Sequence, residues 1–227
     1  MIISHKHKFV FIHIPKNGGC SVSDALLQSH KKNDDDHWNS IPTSVALRFC
    51  ADGIYMNSTD LKQHDPIIKV QEYFSKNDWN FNEYFKFCFS RNPWDRLISY
   101  FHYGKKVYNK NIKEGIHPPG SAPYKWMSKF NCEFKQYGET AMFARPQRWS
   151  IDGSNSEPII DFFGKIENLQ EDFNTICDKI GIPRQELPHV NKTKHKHYTE
   201  YYNDKIWTRV VERYAKDIEY FGYKFGD

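Results

Sequence analysis

Apolar residues fall in short runs along the chain, and the spacing within each run sorts it into strand or helix. Lys8 to Ile14 (KFVFIHI) is short, β-branched and aromatic, and Pro15 ends it, so it predicts a buried strand. Ser21 to Ser29 shifts to helical spacing, with Ser21 as N-cap and Asp24 three residues on. His30 to Ser40 is a polar loop with an acidic triplet, and Ser44 to Asp60 shows no clear period. Asp65 and Pro66 predict a cap and first turn for a helix whose Ile67, Val70 and Phe74 share one face. Tyr84 to Ser90 (YFKFCFS) is the second buried strand. It runs straight into a helix with Asn92 as cap, Pro93 at the first position and Asp95 in the first turn.

Further on, Asn111 to Tyr124 carries the Gly and Pro punctuation of a long loop. A helix is expected over Tyr124 to Tyr137, and a third strand within IIDFFGKIENL. QEDFNTICDKIGIP predicts a helix closed by Gly181 and Pro183. Ile206, Val210, Val211, Tyr214, Ile218 and Phe221 repeat with helical spacing, predicting one helix from Asp204 to Phe221. Strands alternating with helices, without a repeat or boundary, point to a single domain over residues 1–227. Its expected fold is α/β, with a central, mainly parallel sheet flanked by helices.

Composition narrows the partners. The 227 residues carry a net charge of +4, and no block of Lys and Arg forms a nucleic-acid arm. Aromatic residues reach 16%, most of them at strand or helix positions, which assigns them to the core before any stacking surface. The five cysteines (Cys20, Cys50, Cys88, Cys132, Cys177) are scattered and free of CxxC spacing, so they read as reduced thiols with no metal site. Without a signal peptide or an apolar run long enough to span a bilayer, the expected location is cytoplasmic.

The chemistry concentrates between strand and helix. In an open α/β sheet, ligands bind at the carboxyl ends of the strands, which is where PKNGGCS, Pro15 to Ser21, lies. Gly18 and Gly19 let the backbone approach an anion, and the amides from Asn17 to Ser21 can converge on it at the positive end of the helix. Lys16 adds a full charge. The common nucleotide loop, GxxxxGK[ST], places its lysine after the glycines; here it comes before them. An ordinary strand-to-helix turn with a surface lysine would read the same way. A second strand end, SRNPWDRLIS, adds Arg91 and, two turns into its helix, Ser99. Two anion-holding ends would suit a nucleoside with phosphates on both sides.

These residues resemble the sulfotransferases, and most of all the carbohydrate-type branch, family 2. HIPKNGG is similar to that family's 5′-phosphosulfate loop, and RNPWDRLISYF to its 3′-phosphate motif. The likeness continues through FFGKIENLQEDFNTICDKIGI and from LPHVNKTKHKHY almost to the end, and is weakest over residues 30–59 and 108–145. The resemblance implies a P-loop-like three-layer fold and 3′-phosphoadenosine-5′-phosphosulfate (PAPS) as sulfuryl donor. It also implies 3′,5′-bisphosphoadenosine (PAP) as product and a hydroxyl acceptor on a carbohydrate or glycoconjugate. It requires no metal.

On this basis Lys16, Asn17, Gly18, Gly19, Cys20 and Ser21 would hold the phosphosulfate, and Arg91 and Ser99 the 3′-phosphate. Asn191 and Thr193, in VNKTKHKHY, would add donor contacts. Many relatives carry Thr where this chain has Cys20. Lys16 would also stabilise charge on the bridging oxygen as the bond breaks. His64 corresponds to a histidine that sulfotransferases of this branch often have, a candidate base, although a surface or capping role suits the same position. His13, His102 and His189 are rivals. Two other functions remain open: a small-molecule or nucleoside kinase, which the missing GK[ST] order disfavours, and a non-catalytic glycan- or nucleotide-binding protein on the same scaffold.

Overall fold

The computed structural model describes residues 1–31, 54–55, 60–140, 144–188 and 196–227. The strands are β1 (Ile2–Ser4), β2 (Phe9–Ile12), β3 (Ile54–Tyr55), β4 (Phe85–Ser90) and β5 (Phe162–Lys165). The helices are α1 (Gly19–Lys31), α2 (Ile67–Lys76), α3 (Pro93–Glu114), α4 (Ala122–Ser128), α5 (Phe134–Thr140), α6 (Leu169–Ile180), α7 (Asp204–Arg213) and α8 (Ala215–Phe221). They gather into two compact units: Met1–Arg91 with Gln147–Val190, and Asn92–Pro146 with Asn191–Asp227.

The first unit holds a mixed sheet in the order β3-β1-β2-β4-β5. Its parallel part is β2-β4-β5, registered with Phe9 opposite Phe85 and Phe87 opposite Phe162. β1 and β3 extend one edge antiparallel. The chain thus has the expected α/β fold, with the parallel strands confined to the part that carries the loop. β1 escapes a reading of the pattern because it is only three residues long. It is joined to β2 by a tight turn in which Lys8 takes φ 49°.

Alternation sends Phe9 and Phe11 of β2, and Phe87 and Phe89 of β4, to one face. There they pack with Val22, Ala25 and Leu26 of α1 and with Phe173, Ile176 and Cys177 of α6. The rings of Phe11 and Phe87 stack at 5.2 Å. Each such phenylalanine contributes about 1.5–3 kcal/mol through burial. This layer anchors α1 against the sheet and so fixes where the preceding loop can lie.

Two helix starts move from their expected positions. α1 begins at Gly19, which places Ser21 inside the first turn instead of at the cap. α2 is capped by the extended Pro66 without a side-chain bond. Asp65 instead closes the preceding turn, its Oδ2 accepting from Lys62 N at 2.9 Å.

The second unit is helical, with an aromatic core of Trp94, Phe101, Phe130, Phe134, Tyr137, Tyr198 and Tyr214 around Leu97, Ile98, Ile206 and Val210. α3 starts as expected: Asn92 Oδ1 accepts from Trp94 N, and Pro93 occupies the first turn. It continues to Glu114 and ends on Gly115 at φ 62°, so the expected loop begins four residues later than Asn111. The helix expected over Tyr124 to Tyr137 is two, α4 and α5, separated by a turn. The last helix also divides, at Tyr214, whose hydroxyl donates to Ala144 O at 2.8 Å.

Candidate functional site

β2 delivers the chain to the loop, and the loop has a distinctive backbone. Lys16 takes φ 72° and Gly18 φ 75°, while Asn17 and Gly19 stay at negative φ. Alternating signs over successive residues turn neighbouring amides to one side, the geometry of an anion-binding nest. α1 follows at once, its first intrahelical bond running from Val22 N to Gly18 O at 3.3 Å. The amides of Gly19, Cys20 and Ser21 therefore belong to the helix end that favours anions.

The glycines are needed for different reasons. At Gly18 the left-handed backbone would strain any side chain. At Gly19 an added Cβ would lie 2.2 Å from His13 Cδ2, inside van der Waals contact. The His13 ring is buried beneath Gly19, stacked on Phe11, and its Nδ1 is 2.9 Å from Gln63 Nε2. Since the Gln63 amide nitrogen can only donate, His13 Nδ1 accepts. Burial, the nearby chain amino group and His64 together hold the His13 ring well below the ordinary imidazole range, so it stays neutral.

His64 is exposed, and its Nδ1 lies 2.9 Å from the carbonyl oxygen of His13. A carbonyl only accepts, so in neutral His64 Nδ1 carries the hydrogen and Nε2 is the basic nitrogen. The two rings meet edge to face at 4.8 Å. One histidine supports the loop and, through its carbonyl, orients the other.

Arg91 follows β4 and is half-buried; its Nη1 donates to Lys16 O at 3.2 Å. Asn17 is buried, and its Nδ2 donates to Phe89 O and to Gln147 Oε1, both at 2.6 Å. The structure thus brings Lys16, Asn17, Gly18, Gly19, Cys20, Ser21 and Arg91 to the ends of two adjacent parallel strands, with His64 attached through His13. Desolvation of its sulfur and the Asp24 carboxylate push the Cys20 thiol up, while Lys16 pulls it down more weakly.

Ser99 is buried on α3 in the second unit. Asn191, Thr193 and His189 lie outside the described residues. Sequence reasoning missed Gln147, which is fully buried between loop and strand. Its partners are 130 and 56 positions away, and no local period marks it. Among the described residues no group of three or more His, Cys, Asp or Glu is arranged to hold a metal, and no helix is long and apolar enough to cross a membrane.

A strand–loop–helix unit at the carboxyl end of parallel strands makes this an α/β protein whose ligand end is the one such sheets use. Within that class the chain belongs to the sulfotransferase family, whose family-2 model matches residues 1–224. It is similar to carbohydrate sulfotransferase 9 of Homo sapiens, 25% identical over 234 residues, covering 95% of this chain and 47% of that protein. Carbohydrate sulfotransferase 14 of Danio rerio is 22% identical over 244 residues, covering 98% and 62% respectively. An uncharacterized protein of Archaeoglobus fulgidus is 28% identical over 128 residues, 52% of this chain and 85% of that one. The chain therefore spans about half to three-fifths of the length of the two carbohydrate sulfotransferases. A crystal structure of a sulfotransferase from Alicyclobacillus acidocaldarius aligns with TM-score 0.27 and 12% identity, over 66% of this chain and 56% of that one.

Proposed function

We propose that this sulfotransferase uses PAPS as donor and sulfates a hydroxyl on a carbohydrate or glycoconjugate. The observation that carries the reading is the closure of Arg91 onto the Lys16 carbonyl. It gathers two cationic side chains and a helix end where a nucleotide with two anionic ends can be held. The carbohydrate acceptor is supported by the names of the two vertebrate relatives. Four free cysteines among the described residues support a reducing, cytoplasmic setting. Both compact units would serve as parts of one sulfotransferase domain, as the reach of the family model supports.

In this reading the loop of Lys16 to Ser21 takes the 5′-phosphosulfate and Arg91 the 3′-phosphate. Ser99, Asn191 and Thr193 enter through the resemblance alone. The acceptor oxygen attacks sulfur, the bond from sulfur to the bridging phosphate oxygen breaks, and PAP leaves. The acceptor's proton passes to Nε2 of His64, the basic nitrogen when Nδ1 donates to the His13 carbonyl. Lys16 meets the negative charge that builds on the bridging oxygen, which is selective stabilisation of the transition state.

The test is transfer of label from [35S]PAPS to a panel of glycans, with calorimetric titration of PAP and of Mg-ATP alongside. The expected result is a sulfated product and tighter binding of PAP than of Mg-ATP. Tight magnesium-dependent ATP binding without sulfate transfer would replace this reading with a kinase. PAP binding with no transfer to any acceptor would leave a binding protein.

A further inference from the structure

Gln147 opens the second segment of the first unit and is 0% exposed. Its amide joins strand and loop. Oε1 accepts from Arg91 N at 3.0 Å, Nε2 donates to Arg91 O at 2.9 Å, and Oε1 also accepts from Asn17 Nδ2 at 2.6 Å. The atom assignment is forced. A peptide N–H must donate and its carbonyl must accept, so the Gln147 amide has only one orientation, and the Asn17 atom beside Oε1 must be its nitrogen. That same nitrogen reaches Phe89 O. A backbone pairing that would normally extend β4 is completed by a side chain, and the side chain at the same time grips the anion loop.

We propose that Gln147 is a positioning residue that sets the spacing of the two anion-binding arms, the Lys16 loop and Arg91, so that one ligand with a phosphate at each end engages both. The inference rests on the proposed nucleotide site and adds a residue to it. Two features make Gln147 suited to this. It binds the backbone of Arg91 and leaves the guanidinium to its own partners. It binds Asn17 by the side chain and leaves the loop amides to an anion. A primary amide offers an acceptor and a donor side by side, as the Arg91 peptide requires, and does so without depending on pH. Joining two weak sites strengthens binding only when their separation matches the ligand, and the gain disappears when the geometry drifts.

The measurement is calorimetric binding of PAP, adenosine 5′-phosphate and adenosine 3′-phosphate to the wild type and to Gln147→Met, which keeps the bulk and loses the hydrogen bonds. PAP affinity is expected to fall about tenfold or more while each monophosphate changes less than about twofold, because lost alignment removes the gain from joint engagement. Equal losses for all three ligands, or no loss, would overturn the role. A wild type that does not prefer PAP to the monophosphates would overturn the nucleotide reading itself, so the two failures are told apart.

Should Gln147→Met not fold, Gln147→Glu serves. It keeps both acceptor bonds, cannot donate to Arg91 O when ionised, and regains that donor when protonated. Its PAP affinity relative to wild type is expected to recover between pH 8 and pH 5.5. A ratio flat across this range, with titration of the introduced carboxyl within it shown by NMR, would overturn the role.

Discussion

Replacing Lys16 by glycine separates the charge of this residue from its backbone. Lys16 holds φ 72°, in the left-handed region. A residue with a Cβ is disfavoured there by about 1–2 kcal/mol, and such strain persists where the surroundings enforce it, often at functional sites. Here Arg91 Nη1 bonds the Lys16 carbonyl, while Asn17 is tied to Phe89 and Gln147. Glycine removes the steric penalty but gives back about 0.5–1 kcal/mol through its freer unfolded chain. The net gain over Lys16→Ala, which loses the amine and keeps the strain, is about 1 kcal/mol. For a chain of this size, that is about 2–4 °C in Tm. Differential scanning calorimetry of Lys16→Gly, Lys16→Ala and wild type reads it directly. Both variants should lose sulfate transfer by about 10²–10³ in turnover, the usual cost of removing one charge-stabilising group. A glycine variant melting at or below the alanine variant would show that the loop stores no strain at Lys16. A glycine variant with wild-type turnover would remove the ammonium from the reaction.

Three further outcomes are expected. His64→Ala should lower turnover by about 10²–10⁴, the range for general base catalysis, with PAP affinity unchanged by calorimetry; full turnover would dismiss His64. Gly19→Ala drives a Cβ to within 2.2 Å of the His13 ring, an overpacking that costs about 1–3 kcal/mol. Thermal melting should show this loss together with weaker PAP binding, and an unchanged Tm would refute the contact. For His13, the folded-state pKa lies well below the ordinary value, so below about pH 6.5 the unfolded chain binds the extra proton and the folded chain does not. Its contribution to stability is complete above that pH. It falls as pH drops toward the depressed folded value, with a slope of at most about 1.4 kcal/mol per pH unit. His13→Gln should flatten the fall in Tm between pH 6.5 and 5, and a parallel fall in both proteins would assign it elsewhere.

The strands that carry the loop and Arg91 were legible because they are buried on both faces. Their apolar runs are nearly continuous, and Pro15 and Asn92–Pro93 mark where they stop. The loop itself was legible from glycines placed between a strand and a helix. What local pattern could not show was decided by contacts made far along the chain. The hydrophobic period runs unbroken from Ile206 to Phe221, yet the helix divides at Tyr214, which bonds Ala144. Asp65 looks like a cap, but it closes the turn that presents His64. Gln147 sits in RPQRW, a stretch without period or glycine, and acquires its role only when β4 and the loop are side by side.

The order of lysine and glycines, unusual beside the common nucleotide loop, follows from the backbone. In that loop the lysine stands at the start of the helix. Here those positions are Gly19, Cys20 and Ser21, and Gly19 leaves no room for a side chain because the His13 ring lies beneath it. Position 19 is therefore closed to a lysine, and this chain carries its lysine on the strand side, at the first left-handed residue of the nest. Its carbonyl is the acceptor for Arg91, so one residue provides an ammonium and the point to which the second cation is tied. Moving the lysine to position 20, as in Lys16→Gly combined with Cys20→Lys, would keep net charge while separating those two functions. PAP binding should survive in part, since charge near the helix end remains. Sulfate transfer should not, because the ammonium would no longer stand at the entry of the loop. Turnover restored by that double variant would mean that charge alone, and not its place before the glycines, is what the reaction needs.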